Sequence, residues 1–295
     1  MSTTNDTPSA PSFRPLVIGG LYPGIARGLS ADIRAAQALE GHPYPICTAH
    51  VAAGGGVVTD VLSVPTDTVS AHLEHVFETE HPTAAKVGIL SDAATVEVVF
   101  GRLGDHLNGS FIYDCTLSGP SGEDLTGPRT LEAIVDRLHV PDLVTLRVHD
   151  ARLVAGMEIP SLDDAQVAIQ RVVQQGAQRV LLRCGRLPTH HFDTESDPPN
   201  YSADLYYDGD DFALFEAPYL SHLDGIHGAS SGLLLPVLYG LQAGQTSEEA
   251  TRAAKARVTE ALKAAQDARS TVHAPAFFDA LRHEPSTITE DSPDE

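Results

Sequence analysis

The sequence predicts an α/β fold: a mainly parallel sheet with helices packed on both faces. Three observations predict it. Short apolar runs alternate with helical periods along most of the chain. The first run, "PLVIGG", ends in glycines and leads through a Gly-containing loop into a helix. Only late does the alternation give way to two alternating strands around Asp208-Gly209-Asp210. Repeated strand–helix alternation sets strands parallel, because each crossover helix returns the chain to the same edge.

Taken in order, "PLVIGG" is a buried strand, and "GLSADIRAAQAL" shows a helical period with Asp32 in its first turns. "YPICTAHVAA", "AAKVGIL", "SFIYDCTL", "DLVTLRV" and "RVLLRCG" are further buried strands. Between them "TDTVSAHLEHVFETE", "DAATVEVVFGRL", "GPRTLEAIVDRL" and "SLDDAQVAIQRVVQQG" read as helices. Gly54-Gly55-Gly56 resembles a phosphate cradle, but no Lys-Ser/Thr follows, and a turn after the second strand accounts for it. "ADLYYDGDDFALFEAP" is a hairpin, and "HGASSGLLLPVLYGL" is a tight turn opening a buried helix. "SEEATRAAKARVTEALKAAQDARS" is a closing helix, with Ser247 as its N-cap. In "THHFDTESDPPNYS" the adjacent His190 and His191 lack the spacing that aims two imidazoles at one ion, so a polar loop is expected there. Residues 1–14 and 284–295 are polar, Pro- and Ser-rich tails with little to bury, leaving one domain over 15–283.

A chain of 295 residues with 42% apolar residues can bury a full core without disulfide or metal staples. Its net charge of −21 excludes a nucleic-acid or anionic-membrane surface, since both need clustered cations. It also means that a phosphate ligand needs a local cationic site held against the overall field. Cys47, Cys115 and Cys184 show no metal or C-x-x-C spacing, and with neither a leader nor an apolar span the expected setting is the reducing cytoplasm.

In order and spacing, "IGGLYPGIARGLSADIRAAQAL", "AKVGIL", "DCTLSGPSGEDLT", "LVTLRVHDARLVAG", "VLLRCGRL", "DLYYDGDDFALFEAP" and "HGASSG" resemble the hydroxymethylpyrimidine/phosphomethylpyrimidine kinases of the ribokinase superfamily. The resemblance covers about Leu16 to Ala265. It implies a ribokinase-like three-layer α/β/α sandwich with a small β-hairpin beside the cleft, and a homodimer. The activity implied is ATP- and Mg²⁺-dependent phosphorylation of a hydroxymethyl group on a pyrimidine or pyridine-like vitamin precursor, with pyridoxal as a near variant. A relative of impaired catalysis, binding a nucleotide or vitamin as a sensor or partner subunit, is the other reading.

The resemblance also places the site. On the substrate side are Gly20, Asp32 and Thr116, with Ala53 where the family has a ring-reading Gln and Ile89 where it has Met. The family's T-P-N-x-x-E is here Thr145 to Asp150, so Arg147 replaces the Asn as a candidate phosphate ligand and Asp150 is the candidate support for Mg²⁺. V-K-G-G-H is Leu182 to Arg186, which makes Arg183 a second phosphate ligand, and the A-K-S-G-D lysine falls on Pro120. The family's H-G-T-G-C is His227-Gly228-Ala229-Ser230-Ser231. Gly228, Ala229, Ser230 and Ser231 would hold the γ-phosphoryl group on free backbone N–H groups at a helix N-terminus. Ser231 stands where the family's proton-accepting Cys would be. Read without the resemblance, Ser230-Ser231 is an ordinary N-cap, Asp32 a charge complementing a helix dipole, and the arginines solvated surface charges.

Overall fold

The structure, a computed structural model, describes residues 13–23, 27–190, 199–221, 223, 227–267 and 273–283. Both expected tails fall almost wholly outside these residues, as does most of the polar loop after Thr189.

Nine strands form one sheet: β1 (Pro15–Leu21), β2 (Tyr44–Gly54), β3 (Val57–Ser63), β4 (Ala84–Val87), β5 (Ser110–Asp114), β6 (Leu143–Arg147), β7 (Val180–Gly185), β8 (Tyr201–Tyr207) and β9 (Phe212–Pro218). Their spatial order is β3-β2-β1-β4-β5-β6-β7-β8-β9. The run from β2 to β7 is parallel, and an antiparallel hairpin closes each edge. The expected β8–β9 hairpin is therefore an edge of the main sheet. A second hairpin, β2–β3, turns on Gly55 and Gly56 and packs Val51 and Val58 with Ile89 and Leu125.

Two cores lie on the two faces, as period-two alternation requires. Leu16 and Ile18, Ala85 and Val87, Phe111 and Tyr113, Val144 and Leu146 face one way. Against them pack α2 (Thr66–Thr79), α3 (Ala93–His106), α4 (Pro128–Asp136), α5 (Val148–Ala155) and α6 (Leu162–Gln174). Val17, Ala84, Ile112, Leu143 and Leu181 face the other layer, made by α1 (Gly28–Ala38), α7 (Ala229–Gln242), α8 (Ser247–Asp267) and α9 (His273–Ala280). The result is the expected three-layer sandwich. α7 is apolar on every side because it lies between the sheet and α8.

Three local expectations change. Phe13 belongs to the folded domain, not to a tail: it is buried, its ring meets Tyr239 edge-on at 5.4 Å, and its carbonyl accepts from His42. Arg14 likewise donates to Thr83. The cap of α8 is Thr246 rather than Ser247: its hydroxyl accepts from the Glu249 N–H at 3.2 Å, while the Glu249 carboxylate takes the Thr246 N–H at 2.9 Å, a reciprocal capping box.

The same alternation sets the chemistry. Lys86, Asp114, Arg147 and Arg183 sit at or near the carboxyl ends of β4, β5, β6 and β7, in register with residues that face α1 and α7. The strand order reverses between β1 and β4, and in open α/β sheets that point is where a crevice forms.

Candidate active site

A cavity of about 390 Å³ opens at that switch point, walled by the ends of β1, β5, β6 and β7, the turn after β4, and the start of α7. Gly20, Asp32, Ile89, Thr116, Arg147, Arg183, Gly228, Ala229, Ser230 and Ser231 all line it. Two expected site residues do not. Ala53 lies in the β2–β3 hairpin opposite Val58 and packs against its apolar cluster, so the register carries it to the hairpin rather than to the cavity. Asp150 stands behind the wall.

Gly228 is the N-cap of α7, with φ of 93°, a left-handed conformation that glycine adopts without strain. No side chain caps this helix, so the N-cap reading of the serines does not hold. Gly232 makes the first intrahelical bond, to the Gly228 carbonyl at 2.8 Å. The N–H groups of Ala229, Ser230 and Ser231 precede it and border the cavity, as an anion hole requires.

Beneath this turn runs a chain of buried charges. The Lys86 ammonium lies 2.9 Å from Asp32 Oδ2 and 3.6 Å from Asp114 Oδ2. Asp114 Oδ1 takes Arg183 Nη2 at 2.6 Å. The Ser230 hydroxyl donates to Asp114 Oδ2 at 2.9 Å and accepts from Arg183 Nη1. Burial raises the pKa of Asp32 despite the pull of Lys86 and the Ser231 hydroxyl. Burial would also raise Asp114, but Arg183 and Lys86 outweigh it and hold that carboxyl low. Lys86, flanked by two carboxylates, is raised against its own burial and stays charged. Asp32 lies beyond the first turn of α1, so it does not serve the helix dipole. Among the described residues, two buried polar atoms of this cluster have no hydrogen-bond partner: Asp32 Oδ1 and Arg183 Nε.

Behind the opposite wall Asp150 is 0% exposed and hydrogen-bonded through both oxygens. Its Oδ1 accepts from the Leu117 N–H (3.3 Å), the Ser118 N–H (3.0 Å) and the Ser118 hydroxyl (2.6 Å), and its Oδ2 from Arg147 Nε (2.8 Å). Both of its oxygens are thus hydrogen-bonded within the protein, and the residue lies outside the lining of the cavity in which the expected support of Mg²⁺ would be needed. Arg147 also donates from Nη2 to the Ser118 carbonyl and hydroxyl, while its Nη1 has no hydrogen bond among the described residues and its side chain is 36% exposed. Among those residues no group of three His, Cys, Asp or Glu side chains is placed to hold a metal ion.

Lys86 and Asp114 went unremarked in the sequence because each sits inside an apolar strand run. A charge at the carboxyl end of such a run was the available signal. Arg27 and Tyr22 also line the cavity, and Arg27 Nη2 lies 3.1 Å from His227 Nε2, tying the loop before α1 to the turn before α7. The cavity thus gathers four fixed cations, Arg27, Lys86, Arg147 and Arg183, against the carboxylates of Asp32 and Asp114.

A sequence profile of the phosphomethylpyrimidine kinase family matches residues 23–275. The chain is similar to a hydroxymethylpyrimidine/phosphomethylpyrimidine kinase of Mycobacterium tuberculosis, with 30% identity over 256 residues, 85% of this chain and 89% of the relative. A protein of the same description from Aquifex aeolicus is 28% identical over 207 residues, covering 70% of this chain and 77% of that one. Among solved structures, a phosphomethylpyrimidine kinase from Clostridium difficile superposes with TM-score 0.70 at 20% identity, covering 85% of this chain and all of that one. A pyridoxal kinase from Staphylococcus aureus in complex with ADP superposes with TM-score 0.74 at 25% identity, covering 86% and 89%.

Proposed function

The chain belongs to the phosphomethylpyrimidine kinase family, and from that premise we propose that it transfers the γ-phosphoryl group of ATP to the hydroxymethyl group of hydroxymethylpyrimidine or its monophosphate. The observation that carries this is the cavity at the mouth of α7: the first turn of that helix and four cations converge there in a protein of net charge −21. The first turn of α7 receives the γ-phosphoryl group, Arg147 and Arg183 neutralise phosphate charge, and Gly20, Ile89 and Thr116 border the ring with Asp32 beneath it. Such a reaction depends mainly on positioning and charge stabilisation, which this arrangement supplies. Mg²⁺ enters this reading bound to the triphosphate. Asp150, expected to support it, is hydrogen-bonded to Leu117, Ser118 and Arg147 behind the cavity wall.

A pyridoxal-type substrate is the near variant, supported by likeness in fold to pyridoxal kinases. The reading also has a homodimer in the reducing cytoplasm. The buried thiols of Cys115 and Cys184 suit that setting, and no helix of the described residues is long and apolar enough to cross a membrane. Light scattering checks the dimer. One observation favours the reading in which catalysis is impaired: Ser231 provides no thiolate, and Ser230 ties a carboxylate, Asp114, to the anion hole. The deciding experiment incubates the protein with MgATP and, separately, hydroxymethylpyrimidine, its monophosphate and pyridoxal, with products read by mass. A singly phosphorylated product from one of the pyrimidines is expected. Nucleotide binding with no product from any of the three overturns the kinase reading in favour of a sensor.

A further inference from the structure

The kinase reading leaves open which of the two pyrimidines is the acceptor, and the inference here rests on that reading. The two ask different things of the site. A hydroxymethyl group becomes a phosphate ester only by giving up a proton, whereas a phosphate monoester, with its second pKa at roughly 6, is already an anion at neutral pH. The first needs a proton acceptor; the second needs positive charge.

The cavity is better supplied with charge. Lys86 is matched by Asp32 and Asp114, Arg183 by Asp114, and Arg147 by Asp150. Arg27 differs: among the described residues it has no carboxylate within ion-pair distance, in a chain of 40 acidic and 19 basic residues. Its Nη2 instead lies 3.1 Å from His227 Nε2. Burial and the nearby guanidinium hold the His227 imidazole below its ordinary pKa, so the ring is neutral and accepts. Since His227 directly precedes Gly228, the N-cap of α7, this bond sets a half-buried arginine at the helix mouth. Among the described residues its Nη1 and Nε make no hydrogen bond. Proton acceptors are scarcer. Asp114 is held by Arg183 and Ser230, His227 faces Arg27, and Asp32 is 1% exposed and bound to Lys86 beneath the ring. At the helix mouth Ser230 and Ser231 offer only hydroxyls.

We propose that Arg27, with the first turn of α7, selects a phosphorylated acceptor, so that the chain converts the pyrimidine monophosphate to its diphosphate and phosphorylates a free alcohol poorly. An oxygen of the acceptor phosphate bonds to the γ-phosphorus as the bond from that phosphorus to the β-phosphate oxygen breaks, and ADP leaves with the electron pair. No proton has to move: a dianionic acceptor and tetra-anionic ATP give a trianionic diphosphate and trianionic ADP. What opposes the step is repulsion between two phosphate groups. Arg27 offsets it from the acceptor side, while Arg147 and Arg183 act on the triphosphate.

The test compares kcat/KM for hydroxymethylpyrimidine, its monophosphate and pyridoxal, with saturating MgATP at about pH 8, where a monophosphate is a dianion. The parent should favour the monophosphate over either alcohol by about a hundredfold or more, the lower end of what a general base supplies to an alcohol. Arg27→Gln keeps an amide donor for His227 and removes the charge. It should lower kcat/KM for the monophosphate about 10- to 100-fold more than for the alcohols, and Arg27→Lys should recover part of that difference. An Arg27 that only ties the two loops together would affect all three acceptors alike. Ser231→Cys, which adds a group able to ionise at a helix N-terminus, should raise turnover of the alcohols about tenfold or more relative to the monophosphate. An alcohol turned over by the parent as fast as the monophosphate overturns the proposal and leaves the kinase reading standing, and this arm needs no variant to fold. Equal losses on all acceptors in a folded Arg27→Gln protein also overturn it. No product from any acceptor removes the kinase reading, and the selectivity with it.

Discussion

Asp32, in the lining of the cavity, and Asp150, behind it, are both buried carboxylates beside a cation, yet the fold treats them differently. Asp150 receives four hydrogen bonds from a loop and an arginine, and every oxygen is satisfied. Asp32 receives one lysine on one oxygen, and among the described residues the other has no hydrogen-bond partner. The first pattern ties the loop from Leu117 to Leu125 to the start of α5. The second leaves an acceptor beside a cavity. A carboxylate in a functional motif position therefore reads as structural or chemical by its unfilled hydrogen-bonding capacity, not by burial or charge.

The strongest way to break the comparison is to remove the cation on the Asp32 side. Lys86→Met strands the buried Asp32, 2.9 Å from where the ammonium stood, and takes one of two cations from Asp114, at 3.6 Å, which keeps Arg183. Breaking a buried ion pair from one side costs about 3–5 kcal/mol, the largest loss expected from a single change here. Thermal unfolding should show a midpoint lower by roughly 10 °C, taking about 2–4 °C per kcal/mol for a domain of this size. A midpoint within about a degree or two of the parent would mean that the carboxylates are neutral or hydrated in the native state.

Asp150→Ala should come next, at about 2–4 kcal/mol, because it leaves two backbone N–H groups, a hydroxyl and a guanidinium without their acceptor. Its diagnostic feature is what stays the same: the Mg²⁺ concentration that half-saturates ATP-dependent turnover should not move. A large increase in that concentration, in a variant that still folds, would return Asp150 to the metal and dissolve its contrast with Asp32.

Much of this was legible in the sequence. The strand–helix alternation located nearly every inner strand and covering helix, because buried parallel strands and long amphipathic helices have clear signatures. β3 was missed, since "VVTDVLS" is an edge strand with Asp60 exposed and Leu62 65% exposed, so no buried run marks it. α5 was missed because it follows β6 without a spacer, its N-cap Arg147 making no side-chain cap bond. In the site, residues carried by the helix mouth were found, while Lys86 and Asp114 were hidden inside apolar strands. What sequence could not show for Asp150 was occupancy. Its position was right for the motif, but its partners Leu117 and Ser118 come from another segment, and only tertiary structure brings them within 3.3 Å.

A pH series sharpens the comparison within the Lys86 cluster itself. The Asp114 pKa is depressed in the folded state, so its contribution to stability is present above the ordinary carboxylate value near 3.8 and is lost as pH falls through the lower, folded value. Asp32 is shifted the other way, so its contribution is greatest below its unfolded value and is lost as pH rises through the folded one. Denaturant unfolding of the parent between pH 5 and pH 2 (roughly the carboxylate range) should therefore show a decline that is shallower in Asp114→Asn. Equal slopes would remove Asp114 from the acid-sensitive groups.

The smallest expected effect concerns Ser230, where the two walls meet the phosphate site. Its hydroxyl donates to Asp114 and accepts from Arg183, so the side chain at the second residue of α7 holds a carboxylate and a guanidinium to each other rather than to a ligand. Ser230→Gly removes both bonds and returns the position to the bare backbone of the family's motif. It costs about 1 kcal/mol of stability, the usual net worth of such a hydrogen bond. Arg183 Nη1, no longer held by the hydroxyl, becomes available to a phosphate oxygen, and the helix N–H groups lose a competitor at their mouth. ATP should then bind more tightly by a few-fold, on the order of 1 kcal/mol, as measured by calorimetry. Weaker binding in Ser230→Gly would mean that the hydroxyl itself contacts phosphate. Ser230 would then be a working donor of the anion hole.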